Sequence, residues 1–316
     1  MRFLVTGGAG FIGSALANRL AAEGHEVRVL DDLSAGDPER LSPEVSFTRG
    51  DVNDVPRLWT LLHNVECVYH LAARVSVPES VLYPREYNAV NVGGTVSVLE
   101  AMRAAGVSRV VLSSSGAVYG EQESQPLRED MPPDPRSPYA VSKLAAEYYV
   151  RTTGILYGIE TVSLRIFNAY GPGQQMPAAH PPVVPYLLRQ AVKGGSLVVH
   201  GDGTQTRDYV YIDDVVDALV AAATAPGIDR LVINVGSGVE TSVNELITSI
   251  GAAVGKEAAP LHSPAQSGGV SRMRASLSLA AEKLGFRPRI DLHEGLRRML
   301  TSDPRFSRTR SVQVRR

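Results

Sequence analysis

The strongest constraint on this chain lies in its first residues, MRFLVTGGAGFIGSALANRLAAEGHEVRVLDD. RFLVT is a short apolar run that breaks on glycines. SALANRLAAEG then reads as a helix ended by Gly24, and EVRVLDD returns to an apolar run that stops on two acids. Gly7, Gly10 and Gly13 fall at the strand-to-helix turn. Glycine allows a sharp bend and close approach of the backbone to a pyrophosphate, while the helix N-terminus leaves N–H groups for the anion. Asp31, about twenty residues further on, can accept hydrogen bonds from an adenosine ribose. Asp32 follows it with no arginine beside the pair to meet a 2′-phosphate, which favours NAD over NADP, although Arg49 could come near in the fold. Asp51, after the third strand signal SFTRGDV, is a candidate polar contact on the adenine side.

Strand and helix signals continue to alternate. VPRLWTLLHN, NVGGTVSVLEAMRAAG and SPYAVSKLAAEYYVRTTGILYG read as helices, and CVYHLAA, VSRVVLSSS and ETVSLRIFNAYG as strands. Such alternation predicts an α/β fold with an open parallel sheet covered by helices on both faces. The pattern changes after Asn168, where prolines crowd a long loop of the kind that ligand binding commonly explains. The expected organisation is a dinucleotide domain over 1–167, with 208–232 contributing in part. A smaller discontinuous C-terminal α/β lobe takes 168–207 and 233–300, and 301–316 forms a basic, flexible tail.

Composition excludes several function classes. Hydrophobic residues make up 44% and charged residues 21% of the 316, and the formal net charge is −1. This is an ordinary globular balance with no global field for nucleic acid or an anionic membrane. The tail lacks the interleaved aromatics of a nucleic-acid arm. Cys67, the single cysteine, reads as a buried strand position. No metal site is expected. Without a long apolar span or a leader-like N-terminus, a cytoplasmic location is the expectation.

Chemistry concentrates in two segments. Tyr139 and Lys143, in YAVSK, lie four apart and share a helix face. A lysine charge near a phenol stabilises phenolate, which suits removal of a hydroxyl proton while hydride passes to a nicotinamide. The serines of VVLSSS end a predicted strand, and ligands of parallel sheets gather outside the carboxyl ends of strands. Ser115 is the candidate to hydrogen-bond the reacting oxygen. Ser113 and Ser114 can be accounted for by nearby backbone groups.

Together, TGGAGFIG, DD, GDV, HLAA, SSSGAVYG, SPYAVSK, RIFNAYGPGQ and TRDYVYIDD resemble the extended short-chain dehydrogenase/reductase family, in its nucleotide-sugar epimerase and dehydratase branch, from Met1 to about Leu300. The resemblance implies a Rossmann-type NAD-binding domain, a smaller nucleotide-sugar lobe, a retained NAD and a homodimer formed through a four-helix bundle. It implies cofactor contacts from Gly7, Gly10, Phe11, Ile12, Gly13, Asp31, Asp32, Asp51, Val52, Leu71, Ala72, Ala73, Asn91, Ser113, Tyr139 and Lys143. Catalysis falls to Ser115, Tyr139 and Lys143, and substrate contacts to Ser76, Ser115, Tyr139, Asn168, Arg207 and Met273. The 4,6-dehydratases typically carry an Asp-Glu pair before VYG and the decarboxylases a glutamate. Gly116 and Ala117 stand there instead, so the site looks like that of the UDP-glucose 4-epimerases.

Two features leave the substrate open. Many relatives have an arginine followed by Pro-Gly-Asp/Glu in the region matching AQSGGV, where Gln266 is the nearest match, so either Arg272 or Arg274 compensates or the substrate differs from the common ones. The pocket wall near Met273 is flexible and intermediate in size. UDP-glucose/galactose is therefore the first expectation, with N-acetylated and uronic UDP-sugars behind it. A dehydratase, a 4-keto reductase and an NAD-binding regulatory protein without turnover are the alternatives.

Overall fold

The computed structural model describes residues 1–256, 260–264 and 270–306. Its main sheet contains β1 (Arg2–Thr6), β2 (Glu26–Asp31), β3 (Ser46–Arg49), β4 (Cys67–His70), β5 (Arg109–Ser115), β6 (Glu160–Ile166) and a seventh strand, Leu231–Val235. The strands are parallel. Their order is the seventh, then β6, β5, β4, β1, β2 and β3. Winding therefore reverses between β1 and β4, and the crevice outside their carboxyl ends is where such sheets bind ligands. The seventh strand carries the sheet past Val232, where the expected boundary fell.

Alternate residues of each strand feed two separate cores, because strand side chains point to opposite faces in turn. Phe3, Val5, Tyr69 and Val111 pack on one face with Leu16, Leu20, Val215 and Leu219, from helices Phe11–Ala22 and Ile212–Thr224. Leu4, Val68, Val110 and Leu112 pack on the other with Leu58, Val98, Met102 and Val150, from helices Val55–Leu61, Gly94–Ala105 and Pro138–Tyr157. Strands buried on both faces explain the nearly continuous apolar runs of the sequence. Cys67 is free and buried in the sheet.

The smaller lobe is built from several returns of the chain. Helix Val183–Lys193 packs against helix Val243–Val254, beside the parallel pair Leu197–His200 and Pro260–Ser263. Strand Asn168–Tyr170 pairs with Tyr209–Tyr211, and Thr206–Arg207 with Thr241–Ser242. Asp208 draws these returns together from the interior. Its carboxylate accepts the backbone N–H groups of Ser237 at 2.6 Å, Gly238 at 2.9 Å and Ala275 at 3.0 Å.

Two stretches differ from expectation. Helices Val77–Leu82 and Pro84–Tyr87 precede the helix expected from NVGGTVSVLEAMRAAG, and a π-helical turn over Asn88–Gly93 joins them to it. Residues 301–306 are not a flexible end: the last helix, Leu292–Ser302, takes in the first two of them, Phe306 is 1% exposed, and Arg305 binds Asp303 at 2.6 Å. An aromatic residue and an ion pair anchor the chain where charge pattern alone suggested fraying. The remainder of the expected tail, from Ser307, lies outside the described residues, as does Gln266.

Candidate active site

The glycine turn after β1 is closed by backbone. Gly7 adopts φ +68°, and a Cβ there would stand 2.6 Å from the Ala72 nitrogen; at Gly13 it would meet the Gly7 carbonyl oxygen and lie 2.6 Å from the Gly8 Cα. Turn, helix and the segment after β4 are thus packed as closely as glycine permits. Gly10 is the N-cap residue of helix Phe11–Ala22, which has neither a capping side chain nor an acid in its first turn. Phe11, Ile12 and Gly13 therefore present N–H groups suited to a pyrophosphate.

Asp31 ends β2 beneath this turn, 8% exposed. It accepts Ala9 N–H at 3.0 Å and Leu33 N–H at 2.9 Å, one on each carboxylate oxygen. Burial pushes its pKa up while these N–H groups pull it down. Lone pairs remain for a ribose. Asp32 is exposed and turned to Ser34, whose N–H and hydroxyl it accepts at 2.8 and 2.7 Å. Asp51 likewise accepts Asn53 N–H at 2.8 Å, and Val52 is buried under Gly94. Arg49 is the register partner of Asp31 across β2 and β3, and is exposed.

Leu71, Ala72 and Ala73 follow β4, held by a buried chain of side chains. Thr6 Oγ1 lies 2.8 Å from His70 Nδ1, His70 Nε2 lies 2.9 Å from Thr95 Oγ1, and the Thr95 hydroxyl donates to Asn91 O at 2.6 Å. With the Thr95 proton committed, Nε2 donates and Nδ1 accepts. Burial holds this imidazole neutral, its pKa pushed down to about 3. Asn91 accepts Arg74 N–H at 2.8 Å and donates to Arg74 O at 3.0 Å and to Ser142 Oγ at 2.9 Å. Its amide organises the loop bordering the turn. Ser76 caps helix Val77–Leu82 by accepting Glu79 N–H at 3.4 Å, and also hydrogen-bonds Tyr87.

Helix Pro138–Tyr157 starts on Ser137, whose side chain accepts Ala140 N–H, and lies over the end of β5. The Ser115 hydroxyl hydrogen-bonds the Tyr139 phenol and accepts Ala117 N–H at 3.1 Å. Lys143 donates to the carbonyl oxygen of Ser113 at 2.9 Å. The expected depression of the tyrosine by lysine does not dominate. Burial raises the phenol, the Ser115 hydrogen bond pulls it down, and the lysine charge is directed at the strand end. Burial also lowers Lys143 itself to about 8, with Glu147 pulling it up.

Residues from both parts of the chain pack against Gly116, next to Ser115. Phe167 and Met273 share an apolar cluster with Val118, Tyr119, Leu127 and Ala275. A Cβ on Gly116 would lie 3.2 Å from both Phe167 and Met273, so the volume a larger residue would need at that position is already filled. Asn168 follows Phe167, its N–H bound to Asp208 O at 3.0 Å. Arg207 is withdrawn from water, which lowers its pKa, and donates to Thr206 O at 2.6 Å. No ion pair engages its fork among the described residues. Arg272 is committed to Glu240 through two contacts, 2.7 and 2.8 Å, whereas Arg274 Nε is buried without a partner among the described residues.

Sequence reasoning missed the polar groups behind this surface. Glu147, four residues beyond Lys143, was detectable from the same helical spacing. Asp208 carried no comparable signal, since its donors come from distant segments. Tyr170 and Arg165 are interior: the tyrosine hydroxyl donates to Asp291 O at 3.3 Å, and Arg165 pairs with Glu147.

The model of the NAD dependent epimerase/dehydratase family matches residues 3–236. A UDP-glucose 4-epimerase of Mycolicibacterium smegmatis is 44% identical over 304 residues, covering 94% of this chain and 96% of that protein. The UDP-glucose 4-epimerase of Thermotoga maritima, solved with UDP-glucose, superposes with a TM-score of 0.91 at 36% identity over 95% of this chain and 98% of its own. The UDP-glucuronic acid 4-epimerase of Bacillus cereus, solved with UDP-glucuronic acid and NAD, superposes at 0.88 with 32% identity, over 95% and 98%.

Proposed function

The chain belongs to the NAD-dependent epimerase/dehydratase family, and within it we propose that it interconverts the C4 epimers of a UDP-sugar, UDP-glucose and UDP-galactose first. The carrying observation is Gly116, packed under Phe167 and Met273 directly after the Ser115–Tyr139–Lys143 group. A dehydratase needs further acid–base groups to expel water, and Gly116 and Ala117 supply none. The identity to UDP-glucose 4-epimerases supports the same reading. The likeness to a UDP-glucuronic acid 4-epimerase keeps uronic sugars as the second choice.

NAD, when bound, supplies a reversible hydride acceptor at the sugar C4. The Gly7–Gly13 turn fits its pyrophosphate and Asp31 its ribose. Tyr139 removes the C4 hydroxyl proton and returns it after the 4-keto sugar has turned over in the pocket. Ser115 holds the C4 oxygen by hydrogen bond, and Lys143 supplies positive charge against the developing phenolate. Arg207 meets the diphosphate with its two-pronged donor group, and Asn168 contacts the nucleotide sugar, a reading supported by the absence of an ion pair on the Arg207 fork among the described residues. Exposed apolar side chains on helix Pro138–Tyr157, Val141, Tyr148 and Ile155, recur every seventh residue, which suits packing against the same helix of a second copy in a homodimer.

The test is proton NMR of the purified protein with UDP-glucose, UDP-N-acetylglucosamine and UDP-glucuronate in turn, without added reductant. Appearance of one C4 epimer, reduced about 10²–10⁴-fold in Tyr139→Phe, is the expected result. A stable keto sugar, or conversion that requires added NADPH, would transfer the assignment to a dehydratase or reductase.

A further inference from the structure

Behind the reacting group lies an ion pair that the reaction itself does not touch. Glu147 and Arg165 are 6% and 5% exposed, and the guanidinium meets the carboxylate through two contacts, 3.0 and 2.8 Å. The Ser114 hydroxyl donates to the same carboxylate at 2.5 Å. One carboxylate thus joins three elements of the site: its own helix, which carries Tyr139 and Lys143; the end of β5, which carries Ser115; and β6, through Arg165. Removing two charges from water is costly, and such a pair is weak evidence for stability in itself. Its location one helical turn beyond Lys143 gives it a different use.

We propose that Glu147 is a positioning residue for the reacting group, acting through Lys143 and Ser114 and held in place by Arg165. The clamp fixes helix Pro138–Tyr157 against β5 in the register that lets Ser115 reach the Tyr139 phenol while Lys143 reaches the Ser113 carbonyl. It also supplies a counter-charge to a lysine that burial would otherwise discharge. The titratable and charged groups around Lys143 are Tyr139 and Glu147 on its own helix, His70 from β4 and, beyond Glu147, Arg165 from β6. Helix Gly94–Ala105 turns Thr95 inward, whereas its Glu100 and Arg103 are exposed. His70 is neutral, so Glu147 is the group that opposes the loss of charge on Lys143.

The role of Lys143 rests on the epimerase reading, but its ionisation can be followed without substrate. The sequence has four lysines, Lys143, Lys193, Lys256 and Lys283, so ¹³Cε-lysine NMR of the whole protein gives four signals, with that of Lys143 assigned by its loss in Lys143→Arg. Glu147→Gln keeps the shape and removes the charge. We expect the Lys143 midpoint, about 8 in the parent, to fall by about one unit. The basic limb of kcat should move the same way, with KM for the UDP-sugar within about twofold, and Glu147→Asp should restore most of the midpoint. If the unpaired Arg165 prevents Glu147→Gln from folding, the double variant Glu147→Gln/Arg165→Met leaves no orphaned charge and should show the same fall. An unmoved midpoint in either folded variant overturns the proposal. A fallen midpoint in a protein that epimerises none of the UDP-sugars supports the positioning role and overturns the epimerase assignment.

Discussion

Lys143 donates its ammonium proton to the carbonyl of Ser113 at 2.9 Å. The lysine is thereby tied to the strand end that presents Ser115, and this hydrogen bond, beside that of Ser114 to Glu147, joins the two halves of the proposed reacting group across the helix–sheet interface. Burial opposes the charge at this point, and the chain bears that cost at its reacting centre.

The cost has a measurable pH dependence. Lys143 has a pKa near 8 when folded, against about 10.4 when unfolded. Between those values the unfolded chain binds the extra proton, so stability rises with pH across that window, and below about 8 the full penalty is present. Lys143→Met should therefore be more stable than the parent at pH 7, by on the order of 2 kcal/mol after loss of the Ser113 hydrogen bond. By pH 10.5 the advantage should vanish and turn into a deficit of about 1 kcal/mol, because only the lost hydrogen bond then remains. Urea midpoints at the two pH values measure it; an advantage that persists at high pH contradicts the account.

His70 predicts an opposite experiment at the acid end. Its imidazole stays neutral to about pH 3 in the fold, whereas an unfolded histidine takes a proton near 6.5. Stability attributable to His70 is therefore present above pH 6.5 and lost as pH falls towards 3. Between pH 6.5 and 4 the parent should lose on the order of 3 kcal/mol that His70→Gln does not lose. The variant starts less stable, since Thr6 and Thr95 lose well-placed partners. Parallel acid-unfolding curves for the two proteins would remove His70 as the cause.

Three arginines are the candidates for holding the diphosphate of the proposed substrate, and their partners rank them. Arg272 is exposed and committed to Glu240, while Arg207 has no acid on its fork among the described residues and Arg274 has a buried, unpartnered Nε. Arg207→Ala and Arg274→Ala should each raise KM for the UDP-sugar about 10–100-fold, the equivalent of one or two charge-assisted hydrogen bonds. Arg272→Ala should change it less than threefold. Steady-state kinetics on the three variants decides the order, and a dominant Arg272 would mean that the Glu240 pair opens for substrate.

Gly116→Asp tests whether the missing acid alone separates this site from a dehydratase. The added carboxylate meets Phe167 and Met273 at once. The variant should lose about 1–3 kcal/mol of stability to overpacking and form no 4-keto-6-deoxy sugar. Detection of that product by NMR would show that the pocket is already shaped for dehydration.

Local chemistry made part of this molecule legible. The alternation of apolar runs with helical segments determined the parallel sheet, because a strand covered on both faces must be apolar throughout. GGAGFIG determined the turn, because only glycine combines φ +68° with the close approach of the Ala72 backbone at Gly7 and the contact of Gly13 with the Gly7 carbonyl. Four-residue spacing placed Tyr139 and Lys143 on one helix face whatever surrounds them.

What the tertiary structure alone decided is where each buried charge finds its partner. Glu147 meets Arg165 and Ser114 across three elements, Asp208 collects N–H groups from two distant segments, and Arg272 rather than Arg274 is taken by Glu240. The same fold turns the lysine charge onto the Ser113 carbonyl and anchors Phe306 in the core, against the local charge pattern. Periodicity and spacing are properties of neighbours along the chain, and they determine shape. Desolvation and pairing depend on which groups the finished fold brings together, and they set the ionisation state of each group at the site.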